Sequence, residues 1–462
     1  MKNATIMATH PRPPNLQEAP FDVGIIGLGQ SGQSCLRYFT DRDKRILAVD
    51  TRTSPPGTES LIERFPKATV RMGDWDPDEL LGCRRLVVSP GIDPNETFMR
   101  PAVEAGISQL SDIAIFAMAA TAPVIAVTGT NGKSTVTTMI AQLIERHGYE
   151  VLSGGNLGRP ALDLLAEPVP DFYVLELSSF QLALTPALGA RVACVLNLSA
   201  DHLDRHGNFD AYRQAKANIL IDAGCQVLNL DDPAVASLAL PGKVLWFSGA
   251  GRSDADFRIS REPDTTTLVG PTGPLMNADS LKLEGAHNLN NFLAALCACH
   301  GEIALKSDIV RQVAGDFEGL PHRAQVVAEA HGIRFIDDSK ATNVGAAASS
   351  VKAIFDDSTG VLIAGGRAKE DRFEALADAA IDSVHTVVLM GEAATKIEQA
   401  IAGRVTVVHA TDMVGAVNAA FSMSARGETI LLAPACASFD QFESYVERGT
   451  AFQSAVQALK QS

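Results

Sequence analysis

Two short apolar runs, Val23 to Ile26 and Val124 to Val127, each break off into a glycine-rich turn that opens a helix-length segment. This pattern constrains the fold more than any bulk property. A buried strand feeding a glycine turn and a helix is the opening unit of a nucleotide-type parallel sheet, so its recurrence calls for two separate sheets. Further runs at Ile46 to Val49, Leu86 to Val88, Tyr173 to Leu177 and Val192 to Leu196 are bounded by Gly, Pro, Asn or Asp. Amphipathic helix-length segments often lie between them, as parallel strands buried on both faces require. A third series starts with Val361 to Ala364 before Gly365-Gly366, continues through Val387 to Met390 before Gly391, and closes with Ile430 to Ala433 before Pro434. The class is α/β. A chain of 462 residues exceeds what one core supports and is expected to form about three domains. We place boundaries near residues 118 and 322, giving a flexible tail over 1–20 and domains over 21–117, 118–321 and 322–462. The stretch from Asp254 to Leu281 reads as an insertion of hairpins or loops.

Composition narrows the function classes. Hydrophobic residues at 46% and charged ones at 20% are ordinary globular proportions. The seven cysteines are odd in number, scattered and never spaced as CxxC, which argues for a reducing compartment and against zinc. The longest apolar stretch, Ile113 to Val127, is interrupted by Thr121 and Pro123 and is too short to span a bilayer. The N-terminus carries Pro11, Pro13, Pro14 and Pro20 but no charged segment followed by an apolar core and cleavage site, so a cytoplasmic location is expected. A net charge of -15 opposes nonspecific nucleic-acid binding, so any phosphate ligand must be held locally.

The first turn reads Gly27-Leu28-Gly29-Gln30-Ser31-Gly32, with Asp50 ending the next strand. Glycines permit a tight turn and close backbone approach, the helix N-terminus presents amides to phosphate, and the carboxylate accepts hydrogen bonds. Alone, this describes a dinucleotide dehydrogenase, or a turn that merely packs helix on strand. The second turn reads Thr128-Gly129-Thr130-Asn131-Gly132-Lys133-Ser134-Thr135. A phosphate-cradling loop needs inward amides, a lysine for phosphate charge and a hydroxyl for magnesium, and all three are present. The match to GxxxxGK[ST] is incomplete, because Val127 occupies the first glycine position.

The second turn resembles the TGTNGK[ST] loop of the Mur ligase family. Further matching segments are Gly154 to Gly158, Glu176 to Gln181, Asn197 to His206, Gly285 to Asn291 and Asp338 to Asn343. The resemblance covers nearly the whole chain after the tail. Within the family, the first glycine turn, Ser89-Pro90-Gly91 and the run Ala433 to Phe442 resemble the member that adds D-glutamate. It implies a Rossmann-like UDP-binding domain, a central P-loop ATPase-type domain and a C-terminal Rossmann-like ligase domain. The implied activity is ATP-dependent addition of D-glutamate to UDP-N-acetylmuramoyl-L-alanine through an acyl phosphate, with two magnesium ions, in a monomer without nucleic-acid or membrane partners.

The resemblance also assigns residues. Gly129 through Thr135, Asn288, Asn291, Arg323, Asp338 and Lys340 fall in the ATP site. For the UDP-linked substrate it points to Gly29, Gln30, Ser31, Asp50, Thr51, Arg52, Gly91, Asn156, Ser178 and His202. For D-glutamate it points to Thr342, Lys369, Ser438, Phe439 and Tyr445, the last standing where relatives often carry Phe. Ser134, Glu176, His202 and a carbamylated Lys216 are the implied magnesium set, with Lys133, His202 and Lys216 catalytic. The bland alternatives are specific. Glu176 can be a helix-terminal charge beside capping serines, Asn288 and Asn291 can be caps, and Lys216 alone reads as a solvated lysine. His202 and His206 imitate a zinc pair at i, i+4, but no third ligand at suitable spacing is evident. Rival activities are another Mur ligase or a folylpolyglutamate synthetase, an NAD-dependent oxidoreductase, and a nonenzymatic ATP switch.

Overall fold

The computed structural model describes residues 19–461 apart from 56, 57, 59, 157, 284, 357 and 369–371. Three sheets succeed one another along the chain. The first runs Thr69–Met72, Ile46–Asp50, Val23–Ile26, Leu86–Val88, Gln109–Leu110 in spatial order, all parallel. Chain order reverses between the strands Val23–Ile26 and Leu86–Val88, which opens a crevice at their carboxyl ends. Both glycines that frame the first turn are structurally required. Gly27 has φ 89°, and a Cβ on Gly32 would stand 1.9 Å from the Gly27 carbonyl oxygen.

The second sheet has nine strands. Its parallel part places Val124–Thr128 between Val192–Val195 and Phe172–Glu176, with Val151–Gly155 outside the latter. On the other flank, Gln226–Asn229 and Val244–Ser248 lead to Phe257–Glu262, Thr265–Gly270 and Gly273–Asn277. Those last three pair antiparallel as hairpins, in the stretch where an insertion of hairpins or loops was expected. The helix Lys133–Arg146 covers one face of the parallel part. Its Val136, Met139, Ile140, Leu143 and Ile144 recur at helical spacing and are all fully buried against Ile125, Val127 and the helix Ala286–Cys299. Each such side chain contributes roughly 1.5–3 kcal/mol of burial.

The third sheet runs Gln325–Ala330, Ile333–Asp337, Thr429–Leu432, Gly360–Gly365, Thr386–Met390, Thr406–His409, and only the first of these is antiparallel. Its strands carry near-continuous apolar runs because helices cover both faces. The apolar stretch Ile113 to Val127 splits into the helix Asp112–Ala119 and the strand Val124–Thr128. Among the described residues no helix is long and apolar enough to cross a membrane.

Specific side chains join the three units. Arg37 makes a bidentate pair with Asp163, with atoms 2.6 and 3.1 Å apart, and Ser34 donates to the same carboxylate at 2.8 Å. On the other side, Arg323 and Asn343 reach the second unit at Ser134 and Asp201.

Candidate active site

The loop after Val124–Thr128 lies where the second sheet reverses direction, so its two neighbouring strands both deliver residues to it. Gly129 and Gly132 have φ 156° and 81°, and a Cβ on Gly132 would meet Asn291 Oδ1 at 2.5 Å. Glycine is therefore what lets the helix Ala286–Cys299 approach the loop. Asn288 and Asn291 lie inside that helix and do not cap it, since Gly285 is the N-cap. Asn197 braces the loop from the adjacent strand end. Its Oδ1 accepts from the Asn131 amide at 2.8 Å, and its Nδ2 donates to the Asn131 carbonyl at 3.1 Å. The Thr130 hydroxyl lies 2.9 Å from the buried Tyr212 phenol.

Charge concentrates here. Lys133 Nζ donates to the carbonyls of Gly129 and Thr130 at 2.9 and 2.7 Å. Glu176 ends its strand buried, accepting from Ser134 Oγ and, at 2.6 Å, from Asn156 Nδ2. Burial opposes its charge, but Lys133, the two hydrogen bonds and Arg323 together hold its carboxyl below the usual range. Arg323 Nη2 donates to Ser134 Oγ at 2.6 Å, so the third unit touches the phosphate-type loop directly. The Glu176 carboxylate turns to Ser134 and Asn156, although it stands two residues before a helix N-cap. Ser178 does cap the helix Ser179–Ala183, through a capping box with Gln181.

Lys216 is buried, not solvated. It lies on the helix Phe209–Ala217, and its Nζ donates to Gly129 O at 2.8 Å and faces Thr128 Oγ1 at 3.3 Å. Burial, reinforced by the Lys133 charge, pushes its amine well below the usual lysine range against the pull of Asp201 and Glu176. His202 takes φ 54° at the N-cap of Leu203–His206, with Nε2 3.7 Å from Asp201 Oδ2 and its ring against Phe180. His206 instead turns to Ser179 Oγ at 3.0 Å. Among the described residues no group of three or more His, Cys, Asp or Glu side chains forms a metal cluster.

The first unit presents Gly29, Gln30 and Ser31 at the helix start by its crevice, and Gly91 on the neighbouring turn. Asp50 is largely committed to its own fold. Its carboxylate accepts from the Leu28 amide at 2.8 Å and pairs with Arg52 through both oxygens, while Thr51 is exposed. In the third unit, Asp338 is half-buried and its carboxyl is pushed up to about 6, burial outweighing the Arg323 charge. Lys340 Nζ stands 4.0 Å from the Tyr445 ring centroid. Thr342 is partly buried, Ser438 is buried and Phe439 is exposed. Lys369 lies outside the described residues. Arg448, which sequence reasoning missed, is buried and donates to Ser339 O at 2.8 Å and Cys436 O at 3.1 Å, tying two site segments together. A lone arginine in a C-terminal helix carries no signal of that kind. Asn197, Asp201 and Arg205 sit inside a matched segment, but their roles depend on partners distant in sequence.

Comparison with known proteins identifies the family. Family models match as the Mur ligase MurD-like N-terminal domain over residues 21–111, the Mur ligase middle domain over 127–299 and the Mur ligase glutamate ligase domain over 322–436. A UDP-N-acetylmuramoylalanine--D-glutamate ligase of Nitrosococcus oceani is 42% identical over 436 residues, covering 94% of this chain and 96% of its own. The enzyme of the same name from Methylococcus capsulatus is 39% identical, covering 94% of each. Among solved structures, the UDP-N-acetylmuramate-alanine ligase of Thermotoga maritima shares the fold at 16% identity with a TM-score of 0.60, over 95% of this chain and 99% of that one. These matches, together with the phosphate-type loop and its carboxylate, show that the chain belongs to the Mur ligase family.

Proposed function

We propose that this chain is the ATP-dependent ligase that adds D-glutamate to UDP-N-acetylmuramoyl-L-alanine in peptidoglycan precursor synthesis, acting as a monomer in the cytoplasm. The observation that carries the reading is the contact of Arg323, from the third unit, with Ser134 beside Lys133 and Glu176. A loop built for a triphosphate thus lies between a nucleotide-type crevice and a second ligand-binding sheet. Domain limits near 118 and 322 suit the succession of three sheets.

A carboxylate is a poor acceptor for an amine until one oxygen becomes a leaving group. The acid of the UDP-linked substrate attacks the γ-phosphorus of ATP, forming an acyl phosphate and releasing ADP. Lys133 and Arg323 neutralise charge that develops on the transferred group. The amine of D-glutamate then attacks the acyl carbon and loses a proton, and phosphate departs with the bonding electron pair. On the first unit, Gly29, Gln30, Ser31, Thr51 and Arg52 hold the UDP end, and Asn156, Ser178 and His202 lie toward the acid. Thr342, Lys369, Ser438, Phe439 and Tyr445 hold the amino acid. Asn288, Asn291, Asp338 and Lys340 complete the ATP site.

The oxygen-rich pair Ser134 and Glu176 fits magnesium, which favours hydroxyl and carboxylate donors. With His202 and a Lys216 carbamate they would hold two ions, which supply charge neutralisation on the triphosphate when bound. Carbon dioxide on Lys216 would replace a buried amine, whose charged form burial disfavours, by an oxygen donor. The test is a screen of amino acids for phosphate release with UDP-N-acetylmuramoyl-L-alanine and ATP. D-Glutamate is expected to give the response, and a preference for L-alanine, a diamino acid or folate with glutamate defeats the assignment.

A further inference from the structure

Among the described residues, Arg205 makes no hydrogen bond or ion pair to the phosphate-type loop or the third unit, and its guanidinium crosses to the first unit. Its Nη2 donates to the Ile92 carbonyl at 2.8 Å, with longer approaches to Pro90 O at 3.5 Å and, from Nη1, to Gly91 O at 3.4 Å. Asp93 Oδ2 lies 3.9 Å from its Nε. The guanidinium carbon stands over the Phe180 ring, 4.5 Å from its centroid, so the fork rests on an aromatic face while it addresses three successive carbonyls. Those carbonyls belong to the turn that follows the strand Leu86–Val88. The same turn is tied back to the first glycine turn, because Ser89 Oγ donates to the Gly27 carbonyl at 2.8 Å. A cavity of about 200 Å³ lies between this turn and the helix Ser179–Ala183, lined by Ser89, Ile92, Asp93, Phe180, Leu184 and Arg205.

The contacts continue toward the phosphate-type loop. Phe180 stacks on His206, with centroids 5.3 Å apart and planes within 7°, and meets His202 edge-on at 4.8 Å. His206 packs against Tyr212 at 5.4 Å, and Tyr212 bonds Thr130 in the loop itself. A packed, continuous path therefore runs from the loop to the turn bordering the first crevice. Amide formation requires the substrate's acid, on a molecule anchored in one unit, to lie in line with a phosphorus anchored in another, and small errors in that placement are costly.

We propose that Arg205, seated on Phe180, is a positioning residue that sets the Ser89–Ile92 turn, and with it the UDP-linked substrate, relative to the phosphate-type loop. This rests on the functional reading above. Arg205 acts through the turn's carbonyls and does not itself meet a reacting atom. Its removal therefore penalises one substrate of three.

The experiment compares wild type, Arg205→Met, Arg205→Lys and Phe180→Leu by steady-state kinetics with each substrate varied in turn, alongside calorimetric titration of ADP. Wild-type turnover of the UDP-linked substrate with D-glutamate and ATP establishes the underlying reading; no turnover there defeats that reading and the proposal with it, whereas wild-type turnover with unchanged kinetics in the variants defeats the proposal alone. In Arg205→Met, KM for the UDP-linked substrate is expected to rise on the order of tenfold or more, with KM for ATP and D-glutamate and the affinity for ADP within about twofold of wild type. Arg205→Lys keeps the charge but loses the planar fork and is expected to fall between. Phe180→Leu is expected to shift the same KM in the same direction. If Arg205→Met does not fold, by circular dichroism and melting, Arg205→Lys decides between the same outcomes. An unchanged KM for the UDP-linked substrate, or equal losses for all three substrates, overturns the proposal.

Discussion

Glu176 keeps its charge under cover that would ordinarily protonate a carboxylate, because Lys133, Ser134, Asn156 and Arg323 all face it. The same lysine is proposed to meet phosphate, so Lys133→Ala is expected to cut phosphate formation by roughly 10²–10³-fold. Calorimetric affinity for the UDP-linked substrate should stay near wild type, and ADP release at the wild-type rate would refute the role. For Lys216, the alanine variant is expected to lose activity that small carboxylic acids partly restore, since they return an oxygen donor to the site. A fully active Lys216→Ala would remove the carbamate from the account. Asp338 supplies a pH-dependent prediction. Its folded pKa of about 6 lies above the ordinary 3.8, so its contribution to stability is fully present below about 3.8 and is lost as pH rises through about 6. Asp338→Asn stays neutral throughout, so its melting temperature minus that of wild type should grow between pH 4 and pH 7. A gap that is flat over that range would show that the carboxyl is not held up by burial.

At the scale of elements, the strands and the turns that follow them were readable because each obeys a local rule. Strands buried on both faces show as unbroken apolar runs, and Gly27 and Gly132 stand where positive φ is needed. Gly32 is different in kind, since its backbone is ordinary and only the Gly27 carbonyl excludes a side chain. Gly32→Ala is therefore expected to lose roughly 1–3 kcal/mol in urea unfolding and to raise KM for the UDP-linked substrate. Wild-type stability in that variant would mean that the turn yields easily. Capping was legible only in part. Ser178 caps as its neighbours suggest, while the asparagines of Gly285 to Asn291 leave the cap to Gly285 and turn Asn291 toward the loop.

For the whole molecule, what matters is how three sheet edges meet. The first two units are held by the Asp163 cluster and by Arg205, and the third reaches the second through Arg323 and Asn343. Arg323→Ala is expected to lower kcat on the order of 10²-fold and to weaken any compaction that ATP induces, read as the radius of gyration in small-angle scattering. Unaltered compaction with full activity would assign closure to other contacts. The sequence by itself determined the class of fold, the two glycine turns, the phosphate-type loop and the matched segments, because periodicity and turn chemistry are properties of neighbours along the chain. Only the tertiary structure decided that Asp50 is occupied by Leu28 and Arg52, that Lys216 is buried at the loop, and that Arg205, Tyr212 and Arg448 brace the site. Each of those roles depends on partners brought together by packing across long sequence separations, and a residue's own type and spacing carry no record of what will face it.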